Sequence, residues 1–348
     1  MGKFGKAIAI LVLSSLTVGM AFANGTKDAA APAGSTELQP GTYTWVAGSM
    51  GGGWYTVAGG FARLVNEKEP KITIKVIPGG GVANPIALNN GDVDIAWGVG
   101  YVDKAAFNGT APIYDKAYKN LASISGTMAV DYYHFLAAKD TGVTTLDQFV
   151  DKIKKGEKIK IAAPMTGTSD YVMTSFVLAY YGISYDTIKQ NGGTVIQAIY
   201  GDMPSLYKDR HVDYAFATLG LPGAIMTEMA MGRPSTLMAL SNEIIDHCAK
   251  TYGTVARASG LARVPGGTYT GMPNEIQTLC HSTEILVSPS MPAAAVYAIT
   301  KVLNENKDFL VSLGAGYRVF DPKTTWSTVQ VPLHPGAEKY YKDVGVMK

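Results

Sequence analysis

At 348 residues the chain is longer than one hydrophobic core usually organises, so two domains are expected. Its 47% hydrophobic content fits a globular protein. Thirty basic residues against 28 acidic ones, with no basic block or interleaved aromatics, exclude nucleic acid and a charged membrane surface as partners.

Processing signals come first in chain order. Lys3 and Lys6 precede an apolar run, Ala7 to Val18, too short to span a bilayer, and Ala21-Phe22-Ala23 is a small-x-small cleavage site. Residues 1–23 therefore read as a signal peptide cleaved near Ala23, and 24–40, rich in Ala, Gly, Pro and Thr, as a flexible leader. Without the two signal lysines, 28 basic residues face 28 acidic ones. Export leaves Cys248 and Cys280 two equal alternatives, a disulfide or separate buried thiols.

The mature chain opens on a strand at 42–46, a small-residue loop and a helix on which Trp54, Val57, Ala58, Phe61, Leu64 and Val65 recur at helical spacing. Ile72, Ile74 and Val76 alternate with Lys71, Thr73 and Lys75 in a second strand. It ends in Pro78-Gly79-Gly80-Gly81, after which Asn84 is placed to cap a short helix beginning at Pro85 or to reach a ligand. Val93-Asp94-Ile95-Ala96 is the next strand. The extended stretch from Leu121 to Lys139 is read as a crossing between lobes. Thr145 and Gln148 form a capping-box pattern, and Lys158 to Ala163 is a strand. Val212-Asp213-Tyr214-Ala215 follows, and Ile276 to Ser288 crosses back before a helix near Pro292.

One unit is written twice. Strand, small-residue loop and helix at 42–65 return at 158–182, and the Val-Asp strand at 93 returns at 212, offsets of 116 and 119 residues. Alternating strands and helices give an α/β fold of two lobes, each a mainly parallel sheet flanked by helices, with a hinge of two crossing strands. The expected division is 41–127 with 277–348 as lobe I, discontinuous, and 128–276 as lobe II. Each copy aims a helix N-terminus, with its unpaired N–H groups and positive dipole end, out of a loop at the carboxyl end of a strand. Two such ends facing each other make a cleft for a small anion.

The loop Gly48-Ser49-Met50-Gly51-Gly52-Gly53 is not a nucleotide motif. A dinucleotide fingerprint would need glycine where Thr56 stands, and a P-loop would need Lys-Ser/Thr where Trp54-Tyr55 stand. Its glycines still let backbone approach a ligand, with Trp54 and Tyr55 beside it. Thr166, Gly167, Thr168, Ser169 and Asp170 fill the equivalent place in the second copy, where Thr168 or Ser169 also suits ordinary capping. Thr218-Leu219-Gly220 and Gly98-Val99-Gly100-Tyr101 are candidate cleft edges, while Asp94 and Asp213 suit structural roles. No G-x-S-x-G, H-E-x-x-H or Cys-x-x-Cys occurs, and the five histidines are scattered, so neither an enzyme nor a metal or cofactor site is expected.

Gly48-Ser49-Met50-Gly51-Gly52-Gly53-Trp54-Tyr55 resembles the G-S-x-G-G-x-Y-Y stretch of the TAXI family, the extracytoplasmic solute receptors of TRAP transporters. Gly79-Gly80-Gly81-Val82-Ala83-Asn84 is similar to its G-G-S-V-x-N. Pro332-Leu333-His334-Pro335-Gly336-Ala337 with Tyr340-Tyr341 resembles its closing P-L-H-P-G-A and Tyr-Tyr segment, and Gly266-Gly267-Thr268-Tyr269 its G-x-Y turn. The resemblance implies a periplasmic, monomeric binding protein of the type II two-lobed fold that hands a small organic anion, often a dicarboxylate or acidic amino acid, to TRAP-type membrane permease subunits. Trp54, Gly81 and Pro85 depart from the family's tyrosine, serine and leucine, and Gly98-Val99-Gly100 stands where a polar residue is common. The ligand is therefore left open. A secreted enzyme acting on a small carboxylic acid, with only Asp170, Tyr55 and hydroxyls to work with, and a ligand sensor without transport are the alternatives.

Overall fold

The computed structural model describes residues 37–348; the signal peptide and nearly all of the leader lie outside the described residues. In chain order the first half supplies β1 (Gly41–Val46), α1 (Gly53–Lys68), β2 (Ile72–Ile77), α2 (Ala83–Asn90), β3 (Ile95–Val99) and α3 (Gly100–Asn108). Next come β4 (Ala122–Ser125), β5 (Val130–Ala138), α4 (Leu146–Lys154), β6 (Lys160–Ala163), α5 (Ser169–Tyr180), α6 (Tyr185–Gln190), β7 (Thr194–Gln197), α7 (Met203–Lys208), β8 (Tyr214–Leu219) and α8 (Ala224–Gly232). The chain then runs through β9 (Ser235–Leu237), α9 (Asn242–Tyr252), β10 (Arg263–Val264) and β11 (Ile276–Gln277) to β12 (Cys280–Val287). Helices α10 (Ala293–Glu305), α11 (Lys307–Leu313) and α12 (Pro335–Asp343) close it.

The strands follow the order β2-β1-β3-β12-β5-β8-β6-β7, with β4 on β12 and β9 on β5. β1 is parallel to β2 and β3, and β6 is parallel to β7 and β8. β12 runs antiparallel to β3, and β5 antiparallel to β8. Read outward from the centre, β12-β3-β1-β2 and β5-β8-β6-β7 are the same arrangement, so the repeat in the sequence is a repeat in topology. The halves meet where β5 and β12 pair antiparallel at Tyr132 with Cys280, Asp131 with His281 and Val130 with Ser282. Such a short ladder between two sheets is the hinge of a two-lobed fold.

Alternation in β1 and β2 sends Trp45, Ile72 and Ile74 inward against Phe61 of α1. Trp97 on β3 lies 5.4 Å from Trp45 and 5.8 Å from Trp54 between ring centroids. The capping box at Thr145 and Gln148 is formed. Asp94 Oδ2 accepts the Thr44 N–H at 2.8 Å, and Asp213 Oδ1 accepts from the buried Arg233 at 3.0 Å. Both Val-Asp aspartates are thus structural.

Asn84 departs from expectation. Helix α2 starts at Ala83 with no side-chain cap, and Asn84 is fully buried. Its Oδ1 accepts from Gly80 N–H at 2.9 Å, while Nδ2 donates to the Ala47 and Trp97 carbonyls at 2.8 Å each. The Ala47 carbonyl just past β1 and the Trp97 carbonyl, beyond the β1–β3 pairing, need a donor inside the fold, and a side-chain amide serves two at once.

Cys248 and Cys280 are both buried and unpaired, and burial pushes each thiol up to about 12. Because only the thiolate reacts, iodoacetamide is expected to label neither cysteine in the native protein and both once urea unfolds it, as read by intact mass. Rapid native labelling would contradict this placement.

Candidate functional site

A cavity of about 240 Å³ lies between the lobes. The loop from Gly48 to Gly53 forms one wall, Thr218 to Ile225 another, and residues 313–317 a third. Across the seam the lobes touch through backbone. Gly201 N–H donates to Met50 O at 3.2 Å, Tyr200 N–H to Ser49 Oγ at 3.1 Å, and the Val82 and Ala83 N–H groups to Gly167 O at 3.2 and 3.0 Å. The structure is a closed form.

Which helix starts face the cavity follows from their caps. Helix α1 has no side-chain cap and no acidic residue in its first turn, and the N–H groups of Gly53, Trp54 and Tyr55 donate to nothing among the described residues. Helix α8 repeats the pattern: behind the Leu221-Pro222-Gly223 turn, the N–H groups of Ala224, Ile225 and Met226 have no acceptor among the described residues. Helix α5 is different: Thr168 Oγ1 accepts the Tyr171 N–H at 3.2 Å, and the buried Asp170 sits in its first turn. At α5 one N–H is thus taken by the chain's own side chain and an acid stands in the turn, so of the helix starts on the cavity those of α1 and α8 carry neither a side-chain cap nor an acid.

The charged groups on the wall are acids. Asp131 is 5% exposed; its Oδ2 accepts from Trp54 Nε1 at 2.7 Å, and its Oδ1 has no donor among the described residues. Desolvation raises its pKa to about 6 against the opposing Trp54 bond. Burial also raises Asp170, opposed by hydrogen bonds from Thr168 and Tyr200. The Tyr200 hydroxyl donates to Asp170 Oδ2 and accepts the Thr218 N–H at 2.8 Å. His281 is no cation here, because burial lowers its pKa to about 4. No lysine or arginine lines the cavity among the described residues.

Of the residues singled out from sequence, Ser49, Gly51, Gly52, Gly53, Trp54, Thr168, Ser169, Asp170, Thr218, Leu219 and Gly220 line the cavity. Met50 projects outward at 46% exposure, and Tyr55 packs on the core of α1. Tyr101 is buried with its hydroxyl 3.1 Å from that of Tyr133. Thr166 accepts from Gln197 Nε2 at 2.8 Å, and Gly167 offers its carbonyl to the seam. Asp131, Tyr200, His281, Tyr317 and the start of α8 reach the cavity without having been singled out. A glycine-bounded turn with no capping or acidic residue, Gly220-Leu-Pro-Gly223, was a local signal for α8; the other four are brought in by long-range packing.

Among solved structures, malate-bound MatC from Rhodopseudomonas palustris is similar at a TM-score of 0.52 and 14% identity, over 87% of this chain and 97% of that one. A putative phosphate ABC transporter substrate-binding protein from Clostridium perfringens, with bound phosphate, gives 0.48 and 11% over 78% and 98%. A TctC solute binding protein from Polaromonas, without ligand, gives 0.46 and 13% over 80% and 88%. Residues 46–345 match the model of the NMT1-like family.

Proposed function

Because the chain belongs to the NMT1-like family, we propose that it is an exported solute receptor of the TAXI type, which captures a small organic acid between its lobes and delivers it to a TRAP-type permease. The lobes are taken as 41–127 with 277–348 and 128–276, so that the hinge ladder joins them. The observation that carries the reading is the pair of uncapped helix starts, α1 from one lobe and α8 from the other, with free N–H groups on one cavity. A carboxylate gains its second set of donors only on closure, and that differential affinity shifts the open–closed equilibrium. The enzyme alternative gains little, since Asp170 is engaged by Tyr200 and Tyr55 lies off the cavity.

A panel of carboxylic acids tests this by thermal shift. The bound acid is expected to stabilise the fold by about 2.7 kcal/mol at a hundredfold excess over Kd and to reduce the radius of gyration in solution scattering. If sugars or metal ions raise the melting temperature while no acid or amino acid does, the reading fails.

A further inference from the structure

We propose that the solute held in this cavity carries a protonated amine, which Asp131 recognises, together with a single carboxylate on the free N–H groups of α1 and α8. The inference rests on the receptor reading above and narrows its substrate class to small zwitterions, away from dicarboxylates. Three observations carry it.

The first is the unused oxygen. Asp131 is nine-tenths buried, yet its Oδ1 accepts no hydrogen bond from the described residues and would lie 3.5 Å from a Cβ placed on the cavity-lining Gly220. An oxygen of a buried carboxylate that opens on the cavity takes its donor from what the cavity holds, and a charged donor is bound most strongly. The second is the sign of the wall. A dicarboxylate would bring two negative charges against Asp131 and Asp170 with no lysine or arginine to answer them. Like charges at close range are disfavoured in a low-dielectric site, whereas an ammonium is attracted by both acids. The third is the company these acids keep. Trp54, Tyr200 and Tyr317 line the same cavity, and aromatic faces favour an ammonium over a carboxylate.

The remaining ionisable groups around Asp131 supply no competing cation. His281 pairs with it across the hinge and is held neutral; Tyr132, Tyr200, Tyr317 and Cys280 are neighbours whose pKa values are raised. Asp131 titrates through about 6 and burial also raises Asp170 on the same wall, so amine binding should weaken as pH falls from neutral, and Asp131→Asn separates the two acids.

The experiment uses matched probes on the full mature chain: valine, 2-hydroxyisovalerate, isovalerate and malate, titrated calorimetrically at pH 7.5 and pH 5 against wild type and Asp131→Asn. Asparagine retains an acceptor for Trp54, so this variant is expected to fold, and circular dichroism checks it. Valine should bind at least tenfold more tightly than the hydroxy and unsubstituted acids at pH 7.5. That preference should shrink severalfold at pH 5 and vanish in Asp131→Asn, with the weaker acids changed less than threefold. Tighter binding of malate or 2-hydroxyisovalerate than of valine overturns the inference while leaving the receptor reading intact, as does an amine preference that survives Asp131→Asn. Should valine be too bulky, alanine with lactate and propionate makes the same comparison, and absence of binding by every acid and amino acid tested overturns both.

Discussion

Gly51→Val is expected to leave the protein folded and to weaken solute binding about a hundredfold. Gly51 has φ +81°, in the left-handed region, and a Cβ added there would stand 2.7 Å from both the N and Cα of Gly201 on the opposite lobe. Two effects must be kept apart. The backbone strain of about 1–2 kcal/mol is present in open and closed forms alike, so it lowers the melting temperature without touching affinity. The collision exists only when the lobes meet. It also displaces the Gly201 N–H to Met50 O and Tyr200 N–H to Ser49 Oγ bonds, at about 1 kcal/mol each, and a loss of about 2–3 kcal/mol from closure alone is roughly a hundredfold in Kd. Calorimetry with scattering decides it: a folded variant that binds as wild type and still contracts on saturation shows that the seam does not govern closure.

Trp97→Ala has the largest expected effect on stability. Trp97 is 1% exposed, touches Trp45, Trp54 and Tyr317 at centroid distances of 5.4, 5.8 and 6.1 Å, and donates from Nε1 to the Trp54 carbonyl at 3.0 Å. Removing a fully packed indole leaves a cavity that its neighbours cannot fill, at about 3–5 kcal/mol. The melting temperature should fall by roughly 6–20 °C on the scale for domains of 150–250 residues. Trp54 and Tyr317 are also cavity walls, so affinity should drop in the same variant. A loss below about 1 kcal/mol in urea unfolding, at unchanged slope, would contradict the packing argument.

The scaffold could be read from the chain because its determinants are local. Alternation in Ile72 to Val76 and helical spacing from Trp54 to Val65 act within a few residues and appear as β2 and α1, whereas the Val-Asp pairs expected to open two strands lie just before them, β3 starting at Ile95 and β8 at Tyr214. The glycine loop at 48–53 was recognisable for the same reason. The cavity's chemistry was less so. Thr168 and Asp170 look like ligand groups in isolation, yet their nearest demand is the start of their own helix. Asp131 lies in a stretch that reads only as extended chain, and its meaning appears when Trp54, 77 residues earlier, closes over it. Asn84 illustrates the same limit, since carbonyls from two other strands claim it.

The repeated order of strands about the β5–β12 ladder has one further consequence. Under that correspondence α1 matches α5 and α3 matches α8, yet the cavity-lining starts without a side-chain cap or an acid are those of α1 and α8, which are not counterparts. Thr168 takes the Tyr171 N–H and Asp170 adds an acid at the start of α5, while Gly100 and Tyr101 at the start of α3 are buried. A nearly symmetric frame therefore encloses an asymmetric seat. On the proposed reading a solute turned end for end would meet different groups, so the site would tell head from tail although its frame is the same unit used twice.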